Sequence, residues 1–264
     1  MTTYLYLSDI HGNFEALKHL KDLPEMSDLD CHIRFGGDYI DGFDLQPDAI
    51  INTLRFIKDL CDRGKAKAII GNHDDFILRA AFKPLDDNWW YMNGRKETLE
   101  NLGITYSSPG DLREQLLHFY HEELNWLNQL PLYLEDGKNI LVHAGFDLDL
   151  ALVDQDHETM LWTRVREPYI NPPIDIHEDF NGRTIITGHT PTGLIKKQDN
   201  PNQNHPILSG DVTDVDGNRI TRYFIDGGSK SGSQKGAINL LKLDEHGQEL
   251  WRGYLDANGV HEVQ

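Results

Sequence analysis

The chain has 264 residues, of which 39% are hydrophobic, and 43 Asp and Glu outweigh 25 Lys and Arg to give a net charge of −18. Such acidity argues against nucleic acid and anionic membranes as partners. The apolar share supports a sizeable core, but no apolar run is long enough to span a bilayer. Two cysteines, Cys31 and Cys61, have no metal-like spacing and are expected to be buried or idle thiols in a reducing compartment. The chain enters a strand at once, without a basic or apolar leader, so a cytoplasmic location is the expectation.

The first apolar run, residues 4–7, has strand character and ends in Ser8-Asp9-Ile10-His11-Gly12-Asn13. Leu17, Leu20 and Leu23 predict a short amphipathic helix, and Asn13 is suited to cap its N-terminus. A second strand at 32–35 runs into Gly36-Gly37-Asp38-Tyr39-Ile40-Asp41-Gly42. Pro47 is expected as the first helical residue, and Ile50, Ile51, Leu54, Ile57, Leu60 and Cys61 form a helical stripe ending near Arg63-Gly64. A third strand at 66–70 leads to Gly71-Asn72-His73-Asp74. This alternation favours a parallel sheet, whose ligand crevice lies at the C-terminal strand ends.

Residues 82–110 look irregular, with Pro84, Asn88-Trp89-Trp90-Tyr91, Asn93-Gly94 and Pro109-Gly110. They are expected to be a small packed subdomain or a cap, followed by a helix at 111–127. The stretch 82–130 thus reads as an insertion in a chain expected to form one domain over 1–264. Residues 132–134 and 139–142 flank Asp136-Gly137 as a hairpin, and the second strand ends in His143-Ala144-Gly145. After a stretch of loop with possible short helices at 146–179, a strand at 184–187 ends in Gly188-His189-Thr190. A polar stretch at 196–205 reads as a surface loop. Further strands are expected at 207–209, 220–225, 237–243 and 250–254, with turns at Asp216-Gly217, Asp226-Gly227-Gly228 and Glu245-His246-Gly247.

Five clusters of Asp, Asn and His beside Gly, at five strand ends, form a specific pattern. Asp-x-His, Gly-Asp-x-x-Asp, Gly-Asn-His-Asp, His-Ala-Gly and Gly-His-Thr, spread from Asp9 to Thr190, resemble the calcineurin-like metallophosphoesterases. More narrowly they resemble the bacterial and phage serine/threonine protein phosphatase branch (the PPP type). A Trp…Asn-Gly-x-x-x-Thr-Leu stretch of that branch is matched by Trp90, Asn93, Gly94, Thr98 and Leu99. The resemblance implies a four-layer α/β fold, two mixed β-sheets in a sandwich flanked by helices.

It also implies a dinuclear centre of divalent ions, expected to be Mn, with Fe, Zn or Ni as alternatives. Asp9 and His11, two apart at a strand end, can face one ion. The Gly-Asp motif makes Asp38 the bridging carboxylate, and Asn72, His143 and His189 complete the second ion. Asn72 would bind through its neutral carbonyl, limiting negative charge. His73 is implied as the general acid for the leaving group, with Asp41 orienting it and raising its pKa. Ions about 3.5–4 Å apart would clamp phosphate oxygens and generate a bridging hydroxide for in-line attack, with no Ser or Cys nucleophile.

One position departs from the pattern. The protein phosphatases carry a phosphate-gripping Arg after the second Asp, where this chain has Gly42. Arg164, within Leu161-Trp162-Thr163-Arg164, is the candidate phosphate-binding residue, and Arg95 and Arg166 are further candidates. The missing charge predicts a high KM for simple phosphomonoesters and a broad substrate range. Asp226-Gly227-Gly228 resembles the family's closing turn, with a structural role. The expected function is a serine/threonine-type protein phosphatase, whose partner would be a phosphorylated substrate. The alternative is a diadenosine polyphosphate or nucleotide hydrolase. A reading of another class is an inactive fold serving as a binding scaffold, but such proteins lose ligands, and here every motif ligand is present.

Overall fold

The computed structural model describes residues 1–83, 88–164, 175–195, 206–232 and 236–263. In chain order its strands are β1 (Thr3–Leu7), β2 (Cys31–Phe35), β3 (Ala66–Ala68), β4 (Tyr133–Asp136), β5 (Asn139–Val142), β6 (Thr184–Thr187), β7 (Leu208–Thr213), β8 (Arg219–Phe224), β9 (Ile238–Asp244), β10 (Glu249–Asp256) and β11 (Gly259–Glu262). The helices are α1 (Phe14–Leu17), α2 (Ala49–Asp62), α3 (Asn72–Phe82), α4 (Asn88–Met92), α5 (Arg95–Asn101), α6 (Pro109–Leu127), α7 (His157–Trp162) and α8 (Thr192–Ile195).

The strands form two mixed sheets, ordered β11-β10-β9-β1-β2-β3 and β4-β5-β6-β8-β7. β1, β2 and β3 are mutually parallel, as are β5, β6 and β8. The period-2 alternation of strands sorts their side chains into layers. Tyr6, Leu141, Ile186, Tyr223 and Leu241 meet between the two sheets. Leu5, Leu7, Ile33 and Phe35 point the other way, onto Ile50, Leu54 and Ile57 of α2 and Leu116 and Leu124 of α6. Ile140, Val142 and Ile185 pack outward on the second sheet against Met160 of α7 and Phe180. This is the α/β architecture of two mixed sheets with flanking helices that the motifs imply.

Local signals explain most element ends. Asn13 caps α1 by accepting from the Ala16 amide. The short helix expected through Leu23 is one α turn continued by 3-10 turns at Lys18–Asp22 and Pro24–Met26. α2 starts at Ala49 rather than Pro47, because Asp48 adopts a left-handed φ of 59°. β3 ends at Ala68, short of the expected residue 70, because the Ile70 amide turns to the Pro131 carbonyl. The irregular reading of 82–110 is corrected by α4, α5 and the start of α6, which Ser108 caps through the Asp111 amide. β11 adds a strand that was not expected. The expected loop at 196–205 lies outside the described residues. The two thiols are free, and burial raises both of their pKa values. No described helix is long and apolar enough to cross a membrane.

A buried ion pair crosses between the sheets. Arg34 of β2 donates to both carboxylate oxygens of Asp136 on β4, at 2.7 and 2.6 Å, and its guanidinium lies over the Tyr4 ring. Each partner is about 5% exposed. Removing one partner strands a charge in a dry site, so Asp136→Ala should cost about 3–5 kcal/mol of stability by urea unfolding. A loss below about 1 kcal/mol would mean that the stranded Arg34 finds water or another acceptor.

Candidate metal centre

Parallel strands deliver their C-terminal ends to one rim. β1 leads to Asp9 and His11, β2 to Asp38 and Asp41, β5 to His143 and β6 to His189, while α3 presents Asn72 and His73 in its first turn. The backbone there is strained. Among the described residues seven non-glycine residues have positive φ, and five of them are Asp9, His11, Asp38, Asp41 and His189. L-residues rarely adopt this region, and strain of this kind concentrates at functional sites. Inter-loop bonds hold it in place. The Asp9, His11 and Gly12 amides donate to the carbonyls of Gly37, Asp38 and Tyr39, and the Gly188 amide donates to His143. The His189 amide donates to the Asp9 carboxylate, 3.0 and 3.1 Å from its oxygens.

Two groups of candidate ligands share one carboxylate. His11, Asp38 and His73 form one, and Asp38, His143 and His189 the other, with ligand atoms within 4.8 Å of one another and all five residues buried. Asp38 Oδ2 lies 3.6 Å from His11 Nε2 and 3.4 Å from His143 Nε2. Asn72 Oδ1 lies 2.9 Å from both His143 Nε2 and His189 Nδ1. His11 Nδ1 faces the Ile40 carbonyl at 2.7 Å, and His143 Nδ1 faces that of Gly36 at 2.8 Å. Nδ1–H bonds of this kind orient each ring and turn Nε2 inward as a ligand.

The donor set fits hard or borderline divalent ions on three tests. It combines carboxylate, amide oxygen and imidazole. His189 Nε2 is buried and has no hydrogen-bond partner among the described residues. The electrostatics also call for positive charge. Burial would raise the Asp38 carboxyl, but His143, His73 and His11 hold it well below the carboxylate range. Burial would lower His143, but Asp38 lifts it to about 10. Burial and the neighbouring His143 push His189 down to about 2, so it stays a neutral imidazole. Burial and Asp226 raise Asp9 well above its usual value.

Beside the clusters, His73 Nδ1 lies 2.7 Å from Asp41 Oδ2. Asp41 is fully buried and is held from the opposite side by the segment that looked irregular. Trp90 Nε1–H of α4 lies 3.0 Å from each of its oxygens, and the Thr98 hydroxyl of α5 donates to Oδ1. Gly94 makes the approach possible, because a Cβ there would come within 2.8 Å of Asp41 Cβ. Trp90 and Thr98 stand out in the sequence within the Trp…Asn-Gly-x-x-x-Thr-Leu stretch, but their shared target is visible only in three dimensions.

The sequence gives no role to two further groups, Asp74 of the Gly-Asn-His-Asp motif and Lys230. Asp74 accepts from the Asp38, Tyr39 and Gly71 amides at 2.8, 2.9 and 3.0 Å, tying the β2 turn to α3. Burial, then Asp38, raises its pKa to about 8. Lys230, far along the chain, places Nζ 3.0 Å from His73 Nε2.

The candidate arginines are placed unequally. Arg164 is exposed at the rim, and its Nη1 lies 3.4 Å from the His189 carbonyl. Arg95 is directed away, its guanidinium 5.0 and 5.9 Å from the Tyr91 and Tyr106 ring centres. Arg166 lies outside the described residues. Gly42 cannot carry a side chain on this backbone, because its Cβ would lie 1.9 Å from the His11 carbonyl oxygen.

Residues 2–193 match the calcineurin-like phosphoesterase family. The chain therefore belongs to this class of metal-dependent phosphoester hydrolases. It is 28% identical over 139 residues to a symmetrical bis(5'-nucleosyl)-tetraphosphatase of Nitrosospira multiformis, and 30% identical over 142 residues to one of Ralstonia nicotianae. Each match takes in 53% of this chain but only 42% and 40% of those relatives, so less than half of each relative's length is spanned. Among solved structures, a putative diadenosine tetraphosphatase superposes with a TM-score of 0.55 at 15% identity, covering 94% of this chain and 92% of that one. A protein serine/threonine phosphatase from Saccharomyces cerevisiae gives 0.52 at 14% identity, covering 100% and 80%. At such identities these two similarities speak to the fold alone.

Proposed function

We infer that this chain cleaves dinucleoside polyphosphates symmetrically, with two divalent ions, expected to be Mn, held by Asp9, His11, Asp38, Asn72, His143 and His189. His73 is the proton donor and Asp41 its orienting carboxylate. The observation that carries the chemistry is the 2.7 Å His73–Asp41 contact beside two ligand clusters that share Asp38. The substrate class is supported by the relatives' activity as symmetrical tetraphosphatases. Gly42 agrees with it, since the Arg expected of a protein phosphatase has no room there.

Divalent ions, when bound, supply Lewis acidity to phosphate oxygens and lower the pKa of an attacking water. The chain's own residues do the rest. Asp41 engages His73 Nδ1, which leaves Nε2 to give its proton to the departing oxygen as the P–O bond breaks. Arg164, at the rim, would contact a phosphate oxygen. Arg164→Ala should lower kcat/KM about tenfold, equivalent to about 1.4 kcal/mol, with metal content unchanged. Wild-type kinetics would remove Arg164 from the site.

The deciding experiment presents Mn-loaded protein with diadenosine tetraphosphate, a phosphoserine peptide, a mononucleotide and a phosphodiester. Symmetrical cleavage gives two molecules of ADP from diadenosine tetraphosphate, and that substrate should be preferred. Preference for the phosphopeptide would return the site to the protein-phosphatase reading, and turnover of none would leave a binding scaffold.

A further inference from the structure

Lys230 is the one cation in contact with His73 among the described residues, and the two-metal chemistry makes no use of it. It sits on the single 3-10 turn Ser229–Ser231, beyond the end of β8. The turn is tied to the metal-site loops on two sides. Ser229 Oγ donates to the Ile10 carbonyl at 3.0 Å and accepts from Asn13 Nδ2 at 3.1 Å. The Lys230 carbonyl accepts from the Phe43 amide at 3.2 Å, against the very segment where Gly42 excludes a side chain. The Lys230 side chain is half-buried. Burial lowers its pKa, while Asp41, Asp38 and Asp226 favour its charge.

The Nζ lies 3.0 Å from His73 Nε2 and 3.2 Å from the Asn93 carbonyl. An ammonium has three N–H donors: one serves the Asn93 carbonyl, and once His73 Nε2 carries a proton the other two are open to a further acceptor. With Nδ1 held by Asp41, Nε2 is the atom of His73 that faces the leaving group. A cation 3.0 Å from that atom therefore stands beside the leaving oxygen. Arg164 lies by the His189 carbonyl and, as a second cation, disfavours the Lys230 charge.

We propose that Lys230 is a specificity-determining substrate-binding residue: its ammonium hydrogen-bonds the oxygens of an anionic leaving phosphate, and so selects a polyphosphate over a phosphomonoester whose leaving group carries no phosphate. This rests on the reading of His73 as the group facing the leaving oxygen. In the step concerned, a water oxygen forms the new bond to phosphorus and releases one proton to solvent, while His73 Nε2 gives its proton to the leaving oxygen and later regains one from solvent. The P–O bond to the leaving diphosphate breaks with its electron pair going to that oxygen. The charge gathered there meets Lys230, which has exchanged His73 Nε2 for the phosphate.

The test compares wild type, Lys230→Ala and Lys230→Arg, all Mn-loaded, on diadenosine tetraphosphate and p-nitrophenyl phosphate. ADP binding is measured by calorimetry, without turnover. For Lys230→Ala, kcat/KM should fall about tenfold further on diadenosine tetraphosphate than on p-nitrophenyl phosphate, the scale of one charge-assisted hydrogen bond. ADP affinity should fall by about the same factor, and Lys230→Arg should recover most of both losses. Equal loss on both substrates with ADP affinity unchanged would overturn the proposal, since Lys230 would then act through His73. Unchanged kinetics and binding would also overturn it. If wild type turns over neither substrate yet ADP affinity still falls in Lys230→Ala, the hydrolase reading fails while Lys230 stands as a phosphate-binding residue.

Discussion

Asp38→Asn should leave a folded protein with near-complete loss of hydrolysis and reduced metal content. Asp38 is the residue common to both ligand groups, with Oδ2 facing His11 and His143, while Oδ1 accepts from the His73 amide at 2.9 Å. An amide removes the charge that balances two cations and can turn an N–H donor toward imidazole nitrogens that must themselves donate electron pairs. The fold should survive, because the main chain of Asp38 is anchored separately. Its amide reaches Asp74, and its carbonyl accepts from the His11 amide. Metal analysis of the purified variant checks this, and unchanged stoichiometry would refute the shared role.

His73→Asn should lower kcat by about 10²–10⁴-fold for a substrate with a poor leaving group such as an alkyl alkoxide. The loss should shrink for p-nitrophenyl phosphate, whose leaving oxygen departs with little protonation. Asp41 makes the effect specific, since a fully buried carboxylate held by Trp90 and Thr98 leaves the imidazole little freedom to turn. Steady-state kinetics on the two substrates separate proton donation from positioning. An equal loss on both would assign His73 to holding phosphate or metal.

Much of the scaffold could be read directly from the chain. The strands before Asp9, Asp38, His143 and His189 are short apolar runs that stop at turn formers, and the parallel pairing of β1, β2 and β3 followed from the helical patterns between them. Both mixed sheets emerged as implied. What escaped was set by contacts remote in sequence. Residues 88–101 look irregular because α4 and α5 are too short to show periodicity, and they are positioned by Trp90 and Thr98 reaching Asp41. Lys230 lies 157 residues from His73, in a stretch of Gly and Ser that carries no pattern. Substrate class was the least legible feature, because the metal motifs serve phosphomonoesters and polyphosphates alike. The relatives moved that reading from protein phosphatase toward tetraphosphatase.

The most direct test of the two-metal centre is anomalous diffraction from crystals soaked in Mn. Two peaks flanking the Asp38 carboxylate are expected, one beside Asp9 and His11 and the other beside Asn72, His143 and His189. A single peak, or peaks that leave Asp38 without a metal contact, would contradict the account.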